Sequence, residues 1–374
     1  MLTAKQPDNL KPLKFRTTIK PKRTFEKDEI MDYPFRNLVF EGGGVKGIAY
    51  VGTMRVLESK GILQNISRVG GTSAGAINAA MFAAGYSNNE MLKVLKKLDF
   101  NDFKDDSWGA IKDLRRLGTE YGWYRGDYFR DWMGDLLKQK TGTADVTFKS
   151  LFESTNRSLY VYASNISTSF GEVYSYEHTP RMRVVDAVRR SMSIPLFFRA
   201  IRDDRDDVFV DGGAINNYPV KLFDRAKYIE VEKHKRATEY YDKENSKLQA
   251  AGFQNSQYFY NKETLGFRLD SAKEIGIFRD GQTPQSVNIQ NFLDYSMQLI
   301  KTVMSIQDSQ HLHSDDWQRT VYIDTKGIST FDFDLSDAKK NELVKSGKEG
   351  AEKYFEWWDG EHEVLPVNAP NSQT

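Results

Sequence analysis

Cysteine is absent from this chain of 374 residues. Its absence excludes disulfide bonds, a thiolate nucleophile and a zinc site built on cysteine. It fits a cytoplasmic protein without excluding secretion by a signal-independent route. The chain also lacks any run approaching the roughly 18 consecutive apolar residues of a transmembrane helix. Residues 1–36 lack the apolar segment of a signal peptide.

The composition is that of a globular protein, with 39% hydrophobic residues, 28% charged residues and a mean hydropathy of −0.60. Between Met1 and Phe25, seven lysines or arginines stand against one aspartate. We therefore predict a polar, basic and flexible N-terminal extension over 1–36. A single domain should follow over 37–358, with a polar insertion at about 233–263, and 359–374 should form a C-terminal tail.

Strand and helix patterns alternate twice between residues 37 and 85, which predicts an α/β fold with a parallel sheet. Later segments with strand patterns are KYIEVE (227–232), TLGFRLD (264–270) and RTVYIDT (319–325). An amphipathic pattern predicts a helix from about Ile289 to Asp308. A final helix is expected up to Trp358, with Ser336 as its N-cap.

A glycine-rich loop, GGGVKG at 42–47, follows the first predicted strand and opens a helix. Its spacing matches the dinucleotide-binding fingerprint, which also requires an acidic residue about 20 positions later. The second strand ends instead in GGTS (70–73). A P-loop requires lysine and then serine or threonine where Ile48 and Ala49 stand. The bare amides of the loop nevertheless favour a negatively charged group.

The sequence GTSAG at 71–75 has the G-x-S-x-G pattern of a nucleophile elbow between a strand and a helix. Such a turn holds its serine in a strained, exposed position above the sheet. Small residues on both sides, Gly71 and Gly75, would let the strand and helix approach each other. The pattern predicts Ser73 as a nucleophile, which requires a nearby base.

Histidine is the usual base in such sites. The histidines are His178, His234, His311, His313 and His362. Only the last three fit the chain order of an α/β-hydrolase triad, and each lies in a polar stretch typical of a solvated surface. A Ser-His-Asp esterase using His311 or His313 stays open as an alternative.

Asp211 is the other candidate base. It ends an apolar strand pattern, VFVD, and is followed at once by Gly212 and Gly213. The carboxyl ends of strands are where α/β sheets place the residues of their sites. An Asp-Gly-Gly turn is also a common structural feature, so this motif alone does not decide between the two readings.

Taken together, EGGGVKG, GTSAG and DGG in this order resemble the patatin-like phospholipase family. RRSMSIPLFF (189–198) is similar to the block before the aspartate strand of that family, and TLGFRLD is similar to a later strand. The resemblance runs from about Asn37 to Asp270 and continues more weakly towards Trp358. It implies a three-layer α/β/α domain with a mostly parallel central sheet.

The resemblance further implies a Ser-Asp dyad that hydrolyses acyl esters of lipids without histidine, metal or cofactor. Ser73 would be the nucleophile and Asp211 the general base. The backbone amides of residues 42–44 would hold the oxyanion: Gly42, Gly43 and Gly44. Lys46 stands where many members carry arginine, and a lysine supplies charge without a bidentate fork.

The expected substrate is a phospholipid or another acyl-ester lipid, with aromatic and methionine side chains between residues 81 and 200 contributing to an acyl channel. We predict reversible, peripheral membrane contact from the cytoplasm and no nucleic-acid partner. An activating partner or ligand is compatible with the sequence. Two alternatives to a hydrolase stay open: a nucleotide-binding protein using the 42–47 loop, and a catalytically silent binding module.

Overall fold

A computed structural model describes residues 33–105, 117–253, 257–271 and 315–360, with shorter stretches between them at 273–275, 277, 282–283, 286–291, 294–296 and 298–303. The contacts of the chain divide it into residues 1–33 and 34–374. All elements below belong to the second unit. Most of the predicted N-terminal extension, up to residue 32, and residues 361–374 of the predicted tail lie outside the described residues.

Within the described residues, the strands make up one large sheet and two small ones. They are β1 (Asn37–Phe40), β2 (Arg68–Thr72), β3 (Gly122–Tyr124), β4 (Ser158–Asn165), β5 (Phe170–Ser175), β6 (Leu196–Phe198), β7 (Ile201–Arg202), β8 (Val208–Asp211), β9 (Lys235–Arg236), β10 (Tyr260–Asn261), β11 (Thr264–Asp270) and β12 (Thr320–Asp324). The large sheet has the order β12-β11-β1-β2-β4-β8-β7, with β5 also paired to β4.

Helices flank this sheet. They are α1 (Ala49–Ser59), α2 (Ala74–Ala83), α3 (Asn88–Lys97), α4 (Asp127–Thr141), α5 (Phe148–Thr155), α6 (Val184–Ser191), α7 (Glu239–Ala250) and α8 (Asp337–Trp358). The strands from β12 to β4 run parallel, whereas β8, β7 and β5 are antiparallel to their neighbours. The predicted α/β domain with a mostly parallel sheet is confirmed.

The two faces of the sheet are covered differently. Alternate side chains of a strand point to opposite faces. Phe40 of β1 packs against Tyr50 of α1 with ring centroids 5.1 Å apart. Its neighbour Val39 joins a buried cluster with Tyr160 and Phe223 on the other face. Side chains of β1 thus take part in the packing on both faces of the sheet.

Helices α1 and α8 pack with their backbones in contact, which requires glycine at the crossing. A Cβ on Gly52 would lie 1.9 Å from the Val344 carbonyl oxygen, and one on Gly347 would lie 1.9 Å from that of Ala49. The N-cap prediction for α8 is confirmed, because the Ser336 side chain accepts a hydrogen bond from the backbone of Lys339. No helix within the described residues is long and apolar enough to cross a membrane.

The predicted strand over 227–232 is wrong. Residues 226–228 form a 3-10 turn, and a second one covers 232–234. The reason is the buried carboxylate of Glu263, which accepts hydrogen bonds from the backbone amides of Glu230 at 3.0 Å and Val231 at 2.9 Å. A side chain thus takes the place of the neighbouring strand that this alternating pattern would otherwise require.

The predicted polar insertion contains α7 and the antiparallel ribbon of β9 and β10. Within the helix predicted from Ile289 to Asp308, residues 294–296 and 298–303 are helical. Residues 304–308 of that prediction lie outside the described residues.

Candidate active site

The glycine loop between β1 and α1 has two unoccupied amides. The Gly42 amide donates to the Asn217 carbonyl at 3.0 Å. By contrast, neither the Gly43 nor the Gly44 amide has an acceptor among the residues that the structure describes. Gly44 has a φ of +53°, and a Cβ there would lie 2.2 Å from the Thr330 carbonyl oxygen. The loop therefore offers two donors to a ligand, where the sequence predicted three.

The Lys46 side chain contacts the strand β11. Its ammonium donates to the Leu269 carbonyl at 3.2 Å, and the side chain is only 8% exposed. Lys46 lines a separate cleft of about 430 Å³ beside Glu41 and Lys301. The sequence predicted Lys46 in the oxyanion site, whereas the structure places its ammonium at the carbonyl of Leu269.

Ser73 lies on a sharp turn between β2 and α2, with φ +53° and ψ −126°. Positive φ is costly for a residue other than glycine and tends to occur at functional sites. The predicted small neighbours are needed, since a Cβ on Gly75 would lie 2.3 Å from the Phe40 carbonyl oxygen and one on Gly71 would lie 2.5 Å from Gly75. The elbow geometry therefore follows from the close packing of α2 against the end of β1.

The Ser73 hydroxyl is buried, although the turn predicts an exposed one. The residue is 4% exposed, and its Oγ lies 3.3 Å from Met192 Sδ. The Ser73 amide donates to Ser191 Oγ at 2.8 Å, and this hydroxyl in turn donates to the Tyr162 carbonyl. The turn is thus held by the end of α6 as well as by its own glycines.

Asp211 ends β8 and is also buried, at 4% exposure. Its Oδ1 accepts a hydrogen bond from the Gly213 amide at 2.8 Å, while Oδ2 has no hydrogen-bond partner among the described residues. Burial raises the pKa of Asp211 to about 7, although the Ser73 hydroxyl and the Gly213 amide lower it. A carboxylate with this pKa is half ionised near neutrality and can accept a proton.

The sheet brings Ser73 and Asp211 together through β4. Because β5 covers β4 from Tyr160 to Asn165 on one edge, β2 and β8 must share the other edge. The β2 strand pairs up to Tyr162, and β8 takes over with Asp211 opposite Ala163. The elbow leaves the sheet at the position where the aspartate strand enters it.

Both side chains line one small cavity of about 10 Å³. The lining residues are Gly43, Ser73, Ile194, Pro195, Asp211, Ala214, Ile300, Thr330 and Phe331. A cavity of this size holds at most about one water molecule. None of the aromatic side chains between residues 81 and 200 that the structure describes is among them. The aromatic ring is supplied instead by Phe331, from a segment that the sequence did not single out.

The sequence reasoning missed the residues that hold Ser73 and Asp211 in place. Ser191 binds the Ser73 amide, Met192 contacts its hydroxyl, and the Ser193 carbonyl accepts the Asp211 amide at 2.8 Å. All three lie in RRSMSIPLFF, which carried part of the resemblance. Two serines flanking a methionine just before Pro195 were the available signal.

The described histidines are elsewhere. His178 Nδ1 contacts Ser175 Oγ at 2.8 Å, and His234 Nδ1 contacts the Glu263 carboxylate at 2.8 Å. Neither lines the Ser73 cavity. The predicted alternatives His311 and His313, like His362, lie outside the described residues.

Comparison with known proteins places this site in a family. The profile of the patatin-like phospholipases matches residues 38–224, which hold the glycine loop, the elbow and Asp211. The chain belongs to this family. The uncharacterized protein YqhO of Bacillus subtilis (strain 168) is 28% identical over 86% of this chain and 98% of its own length. The probable lipid hydrolase 463L of Invertebrate iridescent virus 6 is 28% identical over 50% of this chain and 63% of its own length.

Among solved structures, VipD from Legionella pneumophila is similar with a TM-score of 0.55 and 16% sequence identity. The match covers 87% of this chain and 67% of that protein. At this identity the likeness establishes the fold, which is that of the patatin-like family.

Proposed function

We propose that this protein is a serine-dependent lipid acyl hydrolase of the phospholipase A or lysophospholipase type, with Ser73 as the nucleophile and Asp211 as the general base. The observation that carries the proposal is the shared cavity. A serine on a strained elbow faces a buried aspartate whose pKa is raised to about 7. Family membership supports lipid esters as the substrate class.

In the first step, Ser73 Oγ attacks the carbonyl carbon of the ester while Asp211 accepts the hydroxyl proton. Oδ2 is suited to this role because it has no other partner among the described residues. The negative charge that develops on the carbonyl oxygen would be held by the free amides of Gly43 and Gly44. The Gly42 amide, which is engaged by Asn217, would hold the loop in shape instead.

Collapse of the tetrahedral intermediate breaks the ester bond, and the proton on Asp211 passes to the leaving alcohol. Water then attacks the acyl-serine, with Asp211 again accepting a proton. The second collapse returns that proton to Ser73 and releases the fatty acid. Both half-reactions use the same base and the same oxyanion donors.

An acyl chain suits the apolar part of the cavity wall. Ile194, Pro195, Ile300 and Phe331 present hydrocarbon next to Ser73, whereas Asp211 is the only ionisable side chain of this wall within the described residues. Burial of a fatty-acyl chain against such a wall is favourable. The proposed substrate therefore enters with its chain against these residues, from peripheral and reversible contact with a lipid surface.

The cavity must open before a lipid can react. At about 10 Å³ it cannot hold an ester group, and Ile300, Thr330 and Phe331 form the part of its wall that comes from the C-terminal part of the chain. We call these three residues the cover. The Thr330 carbonyl accepts a hydrogen bond from the Val45 amide at 3.3 Å, so the cover is in direct contact with the glycine loop. We therefore propose that substrate binding displaces this cover.

Fatty-acid release from phosphatidylcholine, lysophosphatidylcholine and a short-chain soluble ester tests the proposal. Ser73→Ala should abolish release from every substrate, because no other group supplies the nucleophile. Ser246→Ala is the matched control, since this serine is exposed on α7 and distant in sequence from the dyad. Full activity of Ser73→Ala would overturn the proposal. Hydrolysis of the soluble ester alone would remove its phospholipid part.

A further inference from the structure

A second cavity, separate from the Ser73 cavity, is lined almost wholly by charged side chains. It has a volume of about 460 Å³ and is formed by seven arginines, two aspartates, a methionine and an isoleucine. It shares no lining residue with the Ser73 cavity. We call it the arginine cleft. Nothing in the proposed hydrolysis uses it.

The two aspartates of the cleft are already paired. Asp186 accepts hydrogen bonds from Arg130 at 3.0 Å and from Arg183. Asp127 accepts one from Arg199 at 2.9 Å. Ion pairing within the protein thus accounts for three of the arginines and for both carboxylates of the wall.

Three other arginines of the cleft have no carboxylate within 4.0 Å in the part of the chain that the structure describes: Arg181, Arg189 and Arg190. Arg181 is exposed and makes no side-chain hydrogen bond there. Arg190 donates to the Tyr174 hydroxyl at 3.1 Å and lies over the Phe209 ring. None of these three arginines therefore forms an ion pair within the described residues.

Arg189 is the most unusual of these side chains because it is only 4% exposed. Its guanidinium donates to neutral acceptors only, namely the carbonyls of Gly126, Arg125 and Arg199 and the hydroxyl of Ser193. Burial and the charge of Arg199 lower the pKa of Arg189 to about 10, although Asp105 and Asp127 raise it, so it stays protonated at neutral pH. A buried cation without an anion is costly unless something compensates it.

We propose that the arginine cleft binds a ligand carrying phosphate groups. Guanidinium groups bind phosphate oxygens through paired, charge-assisted hydrogen bonds, and Arg181 and Arg190 bring guanidinium groups without a carboxylate partner to the wall of one space. A volume of about 460 Å³ exceeds what a single phosphate fills and lies within the usual range for small-molecule sites. The fitting ligands are a free polyphosphate compound or a phosphorylated lipid headgroup.

The cleft lies beside the support of the proposed dyad. Arg189 donates to Ser193 Oγ at 2.7 Å, and the Ser193 carbonyl accepts the amide of Asp211. A phosphate bound in the cleft would thus lie against the helix and loop that also position Asp211. The binding proposal itself does not depend on Ser73 or on hydrolysis.

Binding of pyrophosphate to the full-length protein, measured by calorimetry, is the first test. We expect binding that weakens at high salt, because screening reduces attraction between charges. The double variant Arg181→Gln/Arg202→Gln should bind at least about tenfold more weakly, since it removes one unpaired cation and a second that the exposed Asp206 only partly balances. The matched control Lys93→Gln/Lys97→Gln removes two exposed lysines of α3 and should bind like the unsubstituted protein.

Vesicles distinguish the two sources of phosphate. The full-length Ser73→Ala protein is mixed with phosphatidylcholine vesicles that contain or lack phosphatidic acid, so that the lipid is not consumed. Arginine-dependent binding to phosphatidic acid alone assigns the cleft to a lipid headgroup, and arginine-dependent binding to pyrophosphate alone assigns it to a free phosphate compound. Binding to neither probe, or equal binding by the double variant and its control, would overturn the proposal.

Discussion

Asp211 and Asp224 are both buried carboxylates, but their surroundings differ in charge. Asp224 accepts hydrogen bonds from both terminal nitrogens of Arg319 and from the Tyr241 hydroxyl. Within the described ranges, Asp211 accepts a hydrogen bond from the Gly213 amide and interacts with the Ser73 hydroxyl, but no Lys or Arg forms an ion pair with it. The comparison teaches that burial alone does not mark a functional acid. Burial raises the pKa of both aspartates, and that of Asp211, which has no ion-pair partner in the described ranges, reaches about 7.

The largest expected effect comes from Asp211→Asn. Loss of a general base lowers a rate by about 100- to 10,000-fold, and fatty-acid release should fall by this factor while the fold is retained. Asp135→Asn, on the exposed face of α4, is the matched control and should keep full activity. A fall of less than tenfold for Asp211→Asn would put the base elsewhere.

Arg319→Met tests the role of Asp224, the aspartate that has an ion-pair partner. It leaves Asp224 and Asp316 buried without their shared cation, which typically costs about 3–5 kcal/mol of folding free energy. Arg205→Met removes an arginine whose side chain is 66% exposed, and should leave the stability almost unchanged. Urea unfolding measures both. Equal stability of the two variants would show that the Asp224 cluster is not a structural clamp.

The pH dependence of stability tests the raised pKa of Asp211. The folded-state pKa of Asp211 is raised from 3.8 to about 7, so ionisation destabilises the fold increasingly between these values and fully above about 7. Asp211→Asn escapes this penalty. Its stability relative to the unsubstituted protein should rise by up to roughly 4 kcal/mol between pH 4 and pH 8, while the cost of an unpaired amide group lowers its stability equally at every pH.

Thermal unfolding across this pH range measures the difference. A gap between the two proteins that is constant with pH would mean that Asp211 does not carry the raised pKa. The rate of hydrolysis should follow the same group, falling tenfold for each pH unit below about 7.

The smallest effect concerns the cover of the cavity. Phe331→Ala removes a side chain that closes the Ser73 cavity, and it should raise kcat/KM for long-chain lipids by a few fold because less cover must move. Phe253→Ala is the control, since this ring is 60% exposed outside that cavity. A lower kcat/KM for Phe331→Ala with unchanged stability would mean that the ring positions substrate instead.

The sequence predicted the fold because the relevant patterns are local. Apolar runs, turn glycines and the Ser336 cap determine the order of strands and helices, and GTSAG determines the elbow by close packing of its glycines. KYIEVE failed because a distant side chain, Glu263, binds the amides that a strand would pair. No local pattern carries that information.

The candidate site could likewise be predicted only in part. The types and order of Ser73 and Asp211 are visible in their motifs, but which amides of the glycine loop are free depends on Asn217, far along the chain. Lys46 is taken by the carbonyl of Leu269, and the cover comes from Ile300 and Phe331. These contacts depend on how the C-terminal part of the chain packs over the site.

Labelling by a fluorophosphonate at different pH values tests the central claim most directly, with the modified residue identified by peptide mass spectrometry. We predict that the label is on Ser73, that its rate of attachment rises with pH up to about 7, and that Asp211→Asn lowers this rate by at least about 100-fold. Label on another residue, or equally fast labelling of Asp211→Asn, would contradict the account.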